Sequence, residues 1–94
     1  MRDNNIYDDT NERFRVFQFF EDGSYEEIRR DLGAREAVET AYFYCTNVAA
    51  NVGITRRVIV VDSGDYTNFE WRYGIGVTYP TRDMIEENKR LQEK

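Results

Sequence analysis

Between Thr55 and Pro80 the chain reads TRRVIVVDSGDYTNFEWRYGIGVTYP. Val58, Ile59, Val60 and Val61 are apolar without a break, so both faces of that segment must be covered, as in a central strand. Phe69, Trp71 and Tyr73 then alternate with Asn68, Glu70 and Arg72. This period of two gives a strand with one aromatic face and one charged face. The polar run DSGDYTN joins the two strands as a hairpin. Gly74 and Gly76 permit a bend, and Val77 to Tyr79 suits a short final strand.

A second hairpin precedes this one. Arg13 to Phe20 and Tyr25 to Arg30 read as strands around Asp22-Gly23, where glycine accepts positive φ without penalty. Two registers fit. A two-residue turn sets Phe17 opposite Ile28; a three-residue loop with a bulge at Gly23 sets Val16 there instead. The two bury opposite faces. We favour the second because it gathers Phe14, Val16, Phe20 and Ile28 on one side. Phe17, Phe19 and Tyr25 then share the other side with Arg15 and Arg29.

Between the hairpins, Ala34 to Asn51 predicts one helix. Ala34, Ala37, Val38, Ala41, Cys45, Val48 and Val52 recur at spacings of three and four, and Gly53 closes it as a C-terminal cap. The small residues of this stripe let the helix sit close against a sheet. Phe43 falls on its far side. After Pro80 and Thr81 a second helix carries a thin apolar stripe of Met84, Ile85 and Leu91. The expected fold is α+β: a four-stranded, mostly antiparallel sheet in the order β-β-α-β-β-α, with one core helix on one face. Residues 1–12 read as a flexible acidic tail, 13–80 as the α+β domain and 81–94 as the C-terminal helix.

Ninety-four residues make one small domain with a modest core. The net charge is −5, and eleven of the thirteen basic residues are Arg, which favours directed pairing with carboxylate or phosphate over a diffuse positive field. A single cysteine excludes an internal disulfide, and the absence of histidine removes the commonest metal ligand and general base. No apolar run approaches the ~20 residues of a membrane span. A cytoplasmic protein without membrane contact is the expectation.

Candidate chemistry is sparse. Asp62, Ser63, Asp65, Thr67 and Asn68 crowd oxygen ligands into one turn, but the spacing does not match a calcium loop, and these are ordinary turn formers. Cys45 lies in the small-residue stripe with no histidine to activate it. Glu26 and Glu27 point to opposite faces of their strand. These features predict a chain that is not an enzyme and needs no cofactor or metal. The aromatic residues beside Arg are the stronger signal. Phe17, Phe19, Tyr25 and Phe43 are the candidates for partner binding or self-association, in a homodimer or with another protein. In the alternative, Arg15, Arg29, Arg56, Arg57 and Arg72 contact the phosphates of a small nucleotide while a ring stacks on its base. Long nucleic acid is disfavoured by the negative charge.

The hairpin TRRVIVVDSGDYTNFEWRYGIGVTYP and the helix AREAVETAYFYCTNVAANVG before it resemble small uncharacterised accessory proteins encoded by bacteriophages and prophages. The resemblance covers about half the chain and carries over no functional residue. It implies a non-enzymatic module that binds a host protein and inhibits a defence or transcription complex inside the bacterial cell. The alternatives are a sponge for a small nucleotide signal and a structural virion component.

The polarity of the N-terminal segment leaves it nothing to bury. Deleting Met1 to Asn11 is expected to leave the melting temperature within a few degrees of the parent, as followed by circular dichroism; a large drop would show that the segment docks.

Overall fold

A computed structural model describes residues 12–92, and the proposed tail up to Asn11 lies outside them. The fold is α+β. Five strands, β1 (Phe14–Phe20), β2 (Tyr25–Leu32), β3 (Thr55–Val61), β4 (Thr67–Arg72) and β5 (Gly76–Tyr79), form one sheet in the order β2-β1-β3-β4-β5. Every neighbouring pair is antiparallel. The expectation of four strands is corrected by β5, which pairs with β4 through Trp71 opposite Val77. The unbroken apolar run of β3 does occupy the centre of the sheet.

Three helices complete the described residues: α1 (Ala34–Thr46), α2 (Val48–Asn51) and α3 (Arg82–Gln92). The expected single helix to Asn51 is broken. Asn47 is extended (φ −76°, ψ −179°), and its side chain accepts a hydrogen bond from the Ala50 amide at 2.9 Å, starting a new helix. The break turns the predicted stripe outward at its end, so that Val48 is 75% exposed rather than buried. Gly53 does close the helical segment, at φ +86°. Its amide donates to the Ala50 carbonyl and that of Ile54 to the Ala49 carbonyl, the paired bonds of a Schellman ending.

The β1–β2 hairpin settles the register. Gly23 has φ +89°, its amide donates to the Phe20 carbonyl, and Phe19 pairs with Tyr25 and Phe17 with Glu27. That is the three-residue loop. Beyond it the pairing shifts, and Val16 meets Arg29. Two β2 residues, Ile28 and Arg29, therefore oppose one residue of β1, a bulge that turns both toward the helix side.

On that side Val16 and Val58 are wholly inaccessible, and with Leu32, Ala37, Ala41 and Val60 they form the core; Phe14, Ile28, Tyr44, Cys45, Phe69 and Trp71 pack around it. The small side chains of α1 allow this close approach. One polar chain leads from the buried layer to the surface: the buried Thr55 hydroxyl donates to Gln18 Oε1 at 2.9 Å, and Gln18 Nε2 donates to the exposed Glu26 at Oε1, 2.9 Å away. Glu12, first of the described residues, accepts hydrogen bonds from the amide (3.0 Å) and hydroxyl (2.6 Å) of Ser63, tying the start of the domain to the β3–β4 turn.

A Cβ at Gly53 would lie 3.1 Å from the Tyr73 ring, in a backbone conformation that costs L-residues roughly 1–2 kcal/mol. Gly53→Ala should therefore lower the melting temperature by about 5–10 °C. An unchanged melting curve would contradict this account of the corner.

Candidate interaction surfaces

The sheet has two unlike faces. Among the described residues no helix covers the face that carries Arg15, Phe17, Phe19, Arg57, Ile59, Val61, Glu70 and Arg72, and side chains of the sheet itself cover its apolar part. Phe17 and Phe19 lie against Tyr25, with ring centroids 6.0 and 5.4 Å apart. The Arg15 guanidinium sits 5.3 Å over the Phe17 ring and that of Arg57 4.7 Å over Phe19. Beneath them Ile59 and Val61 are buried. Each stacked cation contributes roughly 0.5–1 kcal/mol at an exposed site and keeps water from one ring face.

Carboxylates hold these cations in place. Arg15 pairs with Asp65 at 2.5 Å and lies 3.8 Å from Glu27. Arg57 pairs with Glu70, which also forms an ion pair with Arg72 at 3.0 Å and accepts from the Thr78 hydroxyl at 2.5 Å. Partial burial disfavours the ionised Glu70 carboxyl, but the Thr78 and Arg57 hydrogen bonds and the charges of Arg57 and Arg72 outweigh it, so its pKa falls below the ordinary value of 4.5.

The predicted residues are thus distributed unevenly. Phe17, Phe19 and Tyr25 form one cluster, and Tyr25 is its exposed member at 63%. Phe43 stands apart on α1, exposed and edge-on to Tyr44 at 5.1 Å. Arg15, Arg57 and Arg72 share the uncovered face. Arg29 does not, because the bulge sends it to the helix side, where it borders a shallow hollow with Glu36, Thr40 and Phe43. Arg56 also points to the helix side: its Nε donates to the Gly53 carbonyl at 2.6 Å and its guanidinium lies 5.3 Å over the Tyr73 ring. Tyr73, the last of the three alternating aromatic residues, sits half out of the fold at this corner.

The β3–β4 turn is held by its own acids. Asp62 Oδ1 accepts from the amides of Gly64 (2.9 Å) and Tyr66 (3.0 Å), and Oδ2 accepts from Asn68 Nδ2 at 2.9 Å. The Asn68 and Tyr66 bonds hold the Asp62 carboxyl below its ordinary pKa. Among the described residues no group of three acidic or cysteine side chains is placed to hold a metal ion. None of the described helices is long and apolar enough to cross a membrane.

The second surface was not foreseen. On the helix side α1 lies over β2, β1 and β3, and a groove of about 500 Å³ opens between it and the β4–β5 end of the sheet. Val38, Tyr42 and Cys45 line one wall, and Phe69, Trp71 and Val77 the other. Burial pushes the Cys45 thiol up to about 12, which leaves it a poor nucleophile at neutral pH. The sequence held one signal for the groove: Tyr42, four residues after Val38 of the predicted stripe, widens the apolar face beyond what one contact can cover.

Glu70 binds its proton less readily in the fold than in the unfolded chain, so its contribution to stability is complete above the ordinary value of 4.5 and disappears as pH falls through the lower folded value. Glu70→Gln should lower the melting temperature at neutral pH, and the gap between variant and parent should close on acidification below that value. A gap independent of pH would show that the ion pairs contribute nothing.

No protein-family model, curated protein or solved structure matches this chain.

Proposed function

We propose that the chain is a non-enzymatic protein-interaction module that binds its partner through the uncovered sheet face. The observation that carries this reading is the Phe17–Phe19–Tyr25 cluster, framed by Arg15 and Arg57. Aromatic and Arg side chains are those enriched at the centres of interfaces. Here stacking and ion pairing fix them before any partner arrives, which lowers the ordering entropy lost on binding. The net charge of −5 suits a basic partner. The resemblance to phage accessory proteins supplies the setting: a host defence or transcription complex, inhibited when the module covers its working surface.

The nucleotide reading has less support. Arg57 and Arg72 already share Glu70, Arg15 holds Asp65, and Arg29 and Arg56 are on the other side of the sheet. A phosphate would have to displace these carboxylates.

Tyr25 is exposed, so Tyr25→Ala should fold as the parent does. Capture of partners from a bacterial lysate should depend on this ring. For a purified partner, affinity should fall by about 2 kcal/mol, roughly thirtyfold in Kd. Equal capture by parent and variant would move the binding surface elsewhere.

A further inference from the structure

We infer that the hollow in the seam between α1 and β2 binds a small zwitterion, an α-amino acid with an apolar or aromatic side chain. The hollow, of about 340 Å³, is lined by Arg29 of β2 and by Glu36, Glu39, Thr40, Phe43 and Tyr44 of α1. That volume falls at the lower end of the range for small-molecule sites. Positions 36, 39, 40 and 43 share one helical face, and the bulge at Ile28–Arg29 turns the Arg29 side chain toward it. The seam is on the side of the sheet opposite Phe17, Phe19 and Tyr25, so the inference does not rest on the protein interaction proposed above.

Thr40 supplies a polar group at the base of the hollow. It is only 9% exposed, yet its hydroxyl makes no hydrogen bond among the described residues. Nor is that hydroxyl sealed from solvent: Glu27 Oε2 is the one fully covered side-chain atom without a hydrogen-bond partner among the described residues. The small part of Thr40 that stays open to the hollow thus includes an unused donor.

Unpaired charges of both signs flank this donor. Arg29 is exposed and has no ion pair or hydrogen bond among the described residues, unlike Arg15, Arg57 and Arg72, which hold carboxylates. Its planar fork and the Thr40 hydroxyl together suit a single carboxylate. Glu39 is also exposed and unpaired, and Glu36 is held only by a long contact, 3.4 Å, from the Gly33 amide. Like charges three positions apart on a helix repel, and an ammonium between them relieves the repulsion. Phe43, 58% exposed and edge-on to Tyr44, offers a ring for the ligand's side chain.

Charge complementarity selects this ligand over others of its size. A phosphate dianion would meet two carboxylates, and a polyamine would meet Arg29. A wholly apolar molecule would strip water from Arg29 and Thr40 and return no hydrogen bond. A ligand with one charge of each sign satisfies both ends of the hollow.

L-phenylalanine and L-leucine serve as probes, titrated into the isotope-labelled full chain and followed by the amide signals in nuclear magnetic resonance. Saturable shifts centred on Arg29 and on residues 36–44 are the expected result for at least one probe. The N-acetyl derivative of that probe lacks the ammonium, and its amide lacks the carboxylate; each should bind roughly tenfold more weakly, the effect of one lost charge-assisted hydrogen bond. Arg29→Gln and Glu39→Gln, both at exposed positions, should weaken binding to a similar degree with an unchanged circular dichroism spectrum, and Thr40→Val, which keeps the shape and removes the hydroxyl, should weaken it less. The two exposed variants decide the matter even where Thr40→Val does not fold. No saturable shift with either probe at millimolar concentration, shifts centred on another surface, blocked derivatives that bind as well as the free amino acid, or binding indifferent to both exposed variants would each overturn the inference. Partner capture through Tyr25 is unaffected by any of these outcomes.

Discussion

One helix cannot cover five strands. Strands lie about 4.8 Å apart, so the sheet is roughly 19 Å across between its outer strands, while a helix with its side chains is about 10–12 Å wide. α1 lies over β2, β1 and β3, and the rest of that face stays open. Asn47 sharpens the limitation by ending the helix at Thr46 and turning Val48 outward. The groove and the partly exposed faces of Phe69 and Trp71 follow from this mismatch of widths.

The opposite face meets the same shortage of cover by other means. Rings pack on rings, and guanidinium groups lie over them, held by Asp65 and Glu70. Arg suits this place because its planar head stacks on an aromatic face while its edge hydrogen-bonds a carboxylate. A Lys could not do both. The prevalence of Arg in the composition thus has a structural use here that does not depend on phosphate. The two faces differ in kind: one is finished by polar lids, the other ends in a hydrophobic slot.

Much of the fold was legible in the residues. The unbroken valine–isoleucine run identified the central strand, alternation identified β4, Asp22-Gly23 identified the hairpin, and Gly53 identified the end of the helical segment. Where the reading departed from the structure, local competition decided. Asn47 sits within an apolar period, and nothing in the spacing shows that its side chain will cap a new helix. The Ile28–Arg29 bulge removes Arg29 from the aromatic face, and a bulge leaves no mark on a pattern of alternation. Of the site, the Phe17–Phe19–Tyr25 cluster was legible once the register was chosen. The groove was not, because it arises from which strands a helix fails to reach, a property of topology and not of any segment.

The hydrogen-bond chain Thr55–Gln18–Glu26, buried at Thr55 and Gln18, has a consequence for β1 itself. FRVFQFF is aromatic or aliphatic at five of its seven positions, so hydrophobicity alone hardly distinguishes its two faces. If β1 slid by one residue against β3, Gln18 would leave the helix side and Thr55 would keep a hydroxyl sealed from water with nothing to bond. Such an orphaned group costs about 1–3 kcal/mol, a sizeable share of what holds so small a domain together. A single glutamine thus acts as a proofreader of strand alignment, rejecting the misaligned sheet that the phenylalanines would accept.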